Sequence, residues 1–149
     1  METRPLPLPI PDHGRHHLPS LANEVHQTYF FKQPPLQVKW GHQIARKRRR
    51  SIRLGSYNHY TNEIRIHPLL NSPSIPAFFI QSIIHHEYLH HILGGSHNSR
   101  FHRAEKQFRY HRESKEWIRR NLFILLGLKR RATAAQIDEP APQPQLALF

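Results

Sequence analysis

The sequence predicts an α+β domain in which a small three-stranded antiparallel sheet packs against one buried helix and further C-terminal helices. Two observations carry this. Short segments of alternating polarity flank an Asn-rich turn between Ser51 and Pro68, and a long apolar stretch without a helix breaker runs from Ala77 to Leu93, with two more helical segments behind it. The order reads α-β-β-β-α-α-α, the pattern of one small sheet meeting several helices.

Each element has a local reason. "LANEVHQTYFF", Leu21 to Phe31, places Leu21, Val25, Thr28 and Tyr29 at helical spacing after Pro19 and Ser20, a proline-plus-cap start. Pro34 and Pro35 end it, and "LQVKW" then alternates Leu36, Val38 and Trp40 as a strand. "SIRLGSY" and "EIRIHP" are two further strands, joined through "NHYTN" as a hairpin. Pro73 or Pro76 suits the start of the long helix, Gly94-Gly95 its stop, and Asn98-Ser99 the cap of the next one. The long helix is apolar almost all round (Phe78, Phe79, Ile80, Ile83, Ile84, Leu89, Ile92), so it should be buried. A last helix through "SKEWIRRNLFILLGL" should pack Trp117, Ile118, Leu122 and Leu125 on the core.

The ends differ from this middle. Residues 1–20 are Pro-rich and residues 129–149 are basic and then Pro/Gln-rich, so both are expected to be flexible around one domain at 21–128. There is no cysteine, which excludes disulfides, thiolate metal sites and cysteine nucleophiles. No apolar leader and no stretch of membrane-spanning length is present, so a soluble, cytoplasmic monomer is expected. The formal charge of +12 points to nucleic acid, DNA or RNA. Its densest run is Arg46, Lys47, Arg48, Arg49 and Arg50, with Arg53 just after, and adjacent cations in such a run repel one another unless a polyanion relieves them.

The chemistry concentrates in "IIHHEYLHHILGGSHNSRFH", Ile83 to His102, which holds six histidines. The chain has 14 histidines in all, and at that composition H-E-x-x-H arises by chance in roughly one chain in fifteen, so context must decide. On a helix, His86 and His90 stand one above the other and could share a cation through bonds of about 2.0–2.1 Å. Glu87, rotated by about 100°, could reach a water on that cation without being a strong ligand, which suits a general base. Phe79, Ile83 and Leu93 flank the pair, so its nitrogens need partners in a dry stripe. His85 and His91 point elsewhere on the wheel and read as surface or supporting residues. For the third ligand the spacing favours His97, after the glycine turn, over His102, Glu105 and Glu113. Two histidines, a third and an open position would make a catalytic rather than a structural Zn2+ site.

The segment "RLGSYNHYTNEIRIHPLLNSPSIPAFFIQSIIHHEYLHHI…GSHNSRFHRAEKQF" resembles the SprT-like zinc metallopeptidases, a branch of the zincins. The shared order is a hairpin with a G-x-Y element, "IRIHPLL", H-E-x-x-H, and a later histidine in an H-x-x-x-F context. The match is clear from Arg53 to Phe108; Asn98 stands where SprT proper has glycine, and the cysteine-based ribbon is missing. The resemblance implies a minimal zincin-like fold, zinc on His86, His90 and His97, Glu87 as the base, and a protein or peptide substrate, with DNA-crosslinked proteins as the substrates of the better-known members. Peptide hydrolysis also needs an oxyanion stabiliser, for which Tyr57, Tyr110, His111 and Arg112 are candidates. The strand Glu63–His67 could pair an extended substrate along an open edge. Two other readings compete: a metal-dependent endoribonuclease, because H-x3-H-x6-H resembles the H-x3-H-x5-H triad of the YbeY type, and a basic nucleic-acid-binding domain without catalysis. Glu87 separates them, since only the peptidase needs it.

Overall fold

The computed structural model describes residues 16–41 and 53–132. The basic run Arg46–Arg50, most of the Pro-rich leader and the tail from residue 133 lie outside the described residues. The elements are α1 (Leu18–Tyr29), β1 (Gln37–Trp40), β2 (Gly55–Asn58), β3 (Glu63–Ile66), a 3₁₀ turn (Pro68–Leu70), α2 (Ala77–Leu93), α3 (Ser99–Glu105) and α4 (His111–Ala132). This is the expected α+β order.

α1 begins earlier than Leu21. Leu18 is its first residue and is buried, while Pro19 sits in the first turn, where a missing N–H costs nothing. Ser20 is therefore inside the helix and His17 occupies the N-cap position. The backbone N–H of His16 donates to Asn71 Oδ1 at 2.9 Å, so residues 16–20, expected in the flexible leader, belong to the fold. At the other end of α1, the buried His26 bonds the Gln33 carbonyl at 2.6 Å and Tyr88 Oη accepts from the Leu36 N–H at 2.9 Å. Together they fix the path from α1 into β1.

The sheet corrects the antiparallel expectation, because it is mixed. β3 lies in the middle, with β2 antiparallel on one side and β1 parallel on the other (Val38 opposite Ile64, Trp40 opposite Ile66). β2 and β3 are joined by a tight turn, in which Asn58 Oδ1 accepts from the Tyr60 N–H and Asn62 adopts φ +56°. Only antiparallel neighbours can be joined so shortly. Between β1 and β3 the whole of residues 41–62 intervenes, long enough for a parallel crossover. Both edges of β3 are thus occupied, and the edge position expected for Glu63–His67 is held instead by β1 and β2.

α2 is the axis of the core. It contacts α1, α3, α4, β2 and β3, and Phe79, Ile80, Ile83 and Ile84 are fully buried with Ile64 and Ile66. Burial of each such side chain contributes about 1.5–3 kcal/mol. α4 adds Ile118 and Leu125 to the core, with the Trp117 ring tilted against Phe79 at a centroid distance of 4.5 Å and Leu122 packed at the margin. No helix among the described residues is long and apolar enough to cross a membrane.

Candidate metal centre

Toward its C-terminal end α2 carries His86 and His90 one turn apart, with Glu87 between them. Gly94 ends the helix with φ +96°, a conformation that favours glycine, and the chain turns back to bring His97 over the pair. The three imidazoles converge through their Nε2 atoms: His86 to His90 is 3.2 Å and His90 to His97 is 3.0 Å. One ligand atom from each lies within 4.8 Å of the other two, a group able to hold a metal ion. His86 is buried, His90 half-buried and His97 exposed, so the group opens to solvent on one side.

The back of each helical imidazole is held. His86 Nδ1–H donates to Glu105 Oε2 at 2.6 Å, and His90 Nδ1–H donates to the Gly94 carbonyl at 3.0 Å. A carboxylate and a carbonyl can only accept, so in the neutral rings both protons sit on Nδ1 and both Nε2 lone pairs face inward. Two lone pairs 3.2 Å apart repel unless a cation lies between them. The donor set therefore fits a metal, since tetrahedral zinc–nitrogen geometry separates its ligand atoms by about 3.3 Å. Burial keeps His86 below its ordinary pKa, against the pull of Glu105. Burial alone would raise the Glu105 carboxyl, but its bond to His86 and the charges of His86 and Lys115 outweigh that and hold it at about 2. An ionised carboxylate behind a neutral, ligating imidazole fixes the tautomer and raises ligand basicity. Phe101, fully buried, is the floor: its ring centroid lies 4.9, 4.7 and 4.8 Å from those of His86, His90 and His97. Asn98, placed where glycine was the resemblance's expectation, caps α3 by accepting from the Phe101 N–H at 3.0 Å. It thereby sets both His97 and Phe101.

Glu87 is only 1% exposed and is pushed up to about 7 by burial, with the charge of Arg53 acting in the opposite direction. No described residue donates a hydrogen bond to it. It packs against Gly55 at the start of β2, where an added Cβ would stand 3.2 Å from Glu87 Oε2 and 2.4 Å from Ile83 Cγ2. Glycine is needed here for close approach rather than for a special φ. Arg53 Nε donates to the carbonyl of this same Gly55 at 3.1 Å.

The remaining expected site residues spread out. Tyr57, on β2, donates to Asn62 Oδ1 at 2.7 Å and lies 2.6 Å from His91 Nδ1, tying hairpin to helix. Tyr110 packs on Phe78 with Arg109 above its ring, and Arg112 is exposed at the start of α4. His111 lines a small cavity with His85 and Glu105. His102 is exposed with Nδ1 3.5 Å from Glu105, and Glu113 is exposed, so neither joins the three-histidine group. His85 corrects the surface reading: it is 2% exposed, caged by Tyr29, Phe30 and Phe108, and its pKa falls to about 3 through burial. Glu105, a third-ligand candidate from the sequence, instead accepts from the back of the His86 ring. Phe101 was visible only as part of H-x-x-x-F, and the roles of Gly55 and the Gly94 carbonyl had no separate signal.

No family model matches the sequence, and no curated protein matches it. Among solved structures, the crystal structure of the metallopeptidase zymogen of Methanocaldococcus jannaschii jannalysin is similar, at 18% sequence identity and a TM-score of 0.53. The likeness covers 82% of this chain and 98% of that one. It places the α+β arrangement described above among the zincin-like folds.

Proposed function

We propose that this chain is a zinc-dependent metallopeptidase of the SprT-like kind, with His86, His90 and His97 holding the metal and Glu87 as general base. The observation that carries the reading is the convergence of three Nε2 atoms beside a buried carboxylate, in a chain whose fold is similar to that of a metallopeptidase. When bound, zinc supplies Lewis acidity, acidifying a water and polarising a carbonyl. The chain's own groups do the rest. An extended peptide pairs with the outer edge of β2, which carries no strand among the described residues and leads to Gly55 and Glu87. The Glu87 carboxylate takes a proton as the water oxygen bonds the carbonyl carbon and the carbonyl π pair moves to oxygen. When that pair returns, the C–N bond breaks, its electrons go to nitrogen, and Glu87 passes the proton to the leaving amine. Burial, which pushes the Glu87 carboxyl up to about 7 in the metal-free chain, makes it a better proton acceptor than an exposed glutamate.

The test is metal content by elemental analysis of untagged protein, followed by digestion of a peptide pool. About one zinc per chain, cleavage by the parent, and loss of cleavage with metal retained in Glu87→Gln are expected. Absence of stoichiometric metal would sink the hydrolase reading. The charge of +12 supports a further element, that the substrates are proteins held on DNA or RNA through Arg46–Arg50. Affinity for nucleic acid should then fall steeply between about 50 and 200 mM salt. Binding that is absent or indifferent to salt removes this element and leaves the peptidase.

A further inference from the structure

Hydrolysis of a peptide bond places negative charge on the carbonyl oxygen, and a donor must meet it on the open side of the site. Of the tyrosines considered from the sequence, Tyr57 donates to Asn62 and Tyr110 lies against Phe78. Arg53 is placed differently. It is exposed, its Nε is anchored on the Gly55 carbonyl, and a Cβ added to that same glycine would stand 3.2 Å from the Glu87 carboxylate. The side chain is thus pinned beside the base at the head of the edge strand β2. An exposed cation anchored there stands next to the base, at the edge of the site.

We infer that Arg53 is a catalytic residue of the proposed hydrolysis, donating from its terminal amino groups to the substrate carbonyl oxygen as that oxygen becomes anionic. The inference rests on the peptidase reading. It also moves Arg53 out of the basic run with which its sequence position groups it: Arg53 serves the acyl oxygen, not a phosphate. Anchoring through Nε leaves the planar fork oriented before substrate arrives, and such a preorganised donor acts mainly on the transition state.

The experiment uses the full zinc-loaded chain as wild type, Arg53→Met and Arg53→Lys. The probes are one peptide that the wild type cleaves and its phosphinate analogue, whose tetrahedral anionic group mimics the charged carbonyl. In Arg53→Met, kcat should fall about 10²-fold and the phosphinate should bind weaker by a similar factor, with KM changed less than about threefold. Zinc content and Tm should stay at wild-type values, and Arg53→Lys should recover part of the loss, keeping the charge without the fork. Unchanged kcat, or a loss confined to KM, would overturn the assignment while wild-type cleavage keeps the peptidase reading standing. A wild type that cleaves nothing in the pool overturns both.

Discussion

His86 Nδ1 stands 2.6 Å from Glu105 Oε2 across nineteen residues of chain, and this contact decides which nitrogen of His86 looks into the site. Without the carboxylate, a buried imidazole would choose its tautomer by whatever else it met. Glu105→Ala should therefore weaken zinc affinity about 10–100-fold with all three histidines intact. Glu105→Gln, whose amide oxygen still accepts, should lose less. Competition against a chelator of known affinity checks the order.

Glu87 links the site to stability. Its pKa rises from 4.5 to about 7 on folding because burial disfavours the charged form. The native state therefore holds the proton more tightly, and stability is lost as pH rises from about 4.5 to about 7, the loss being complete above that. In metal-free protein, Glu87→Gln should be more stable than wild type by about 3 kcal/mol at pH 8.5, with the gap below about 1 kcal/mol at pH 5. Denaturant unfolding at the two pH values measures the difference. An equal gap at both would contradict the shift.

His97 and His102 test the proposed ligand set. Both are exposed, so changing either to alanine should move the metal-free Tm little. His97→Ala should strip most of the bound metal, since it removes one of three converging nitrogens. His102→Ala should retain it.

At Gly55 the prediction is steric. A methyl group there would sit 2.4 Å from Ile83 Cγ2, so either β2 or α2 must give way. Gly55→Ala should cost about 1–3 kcal/mol and lower catalytic turnover further, because Glu87 is the other group it touches. Retained stability with full turnover would mean that the strand relaxes freely.

What the sequence made legible was what its residues mark locally. Pro76 and Gly94 bound α2 at Ala77–Leu93, and Asn98 caps α3, because a helix end is signalled by the residues at that end. His86, His90 and His97 came from spacing across one helix and one short turn. Partners remote in sequence were not legible. The parallel pairing of Val38 with Ile64 depends on where the chain crosses, and nothing within β1 reports it. His85 was misplaced because α2 is apolar all round: a helical wheel shows an inner and an outer face only when one face meets water. Glu105 was noticed as an acid, but its role depends on how α3 lies against α2.

Two of the three imidazoles ride on the core helix α2, while the third hangs from a stretch, Gly94 to Arg100, that is exposed throughout. The centre therefore has a half set in the core and a half set on an exposed turn. An ion held there would escape by a swing of the His97 segment, with the core undisturbed. Its residence time would be set by local opening and not by the unfolding rate, so two proteins of equal global stability could differ widely in how long they keep their metal.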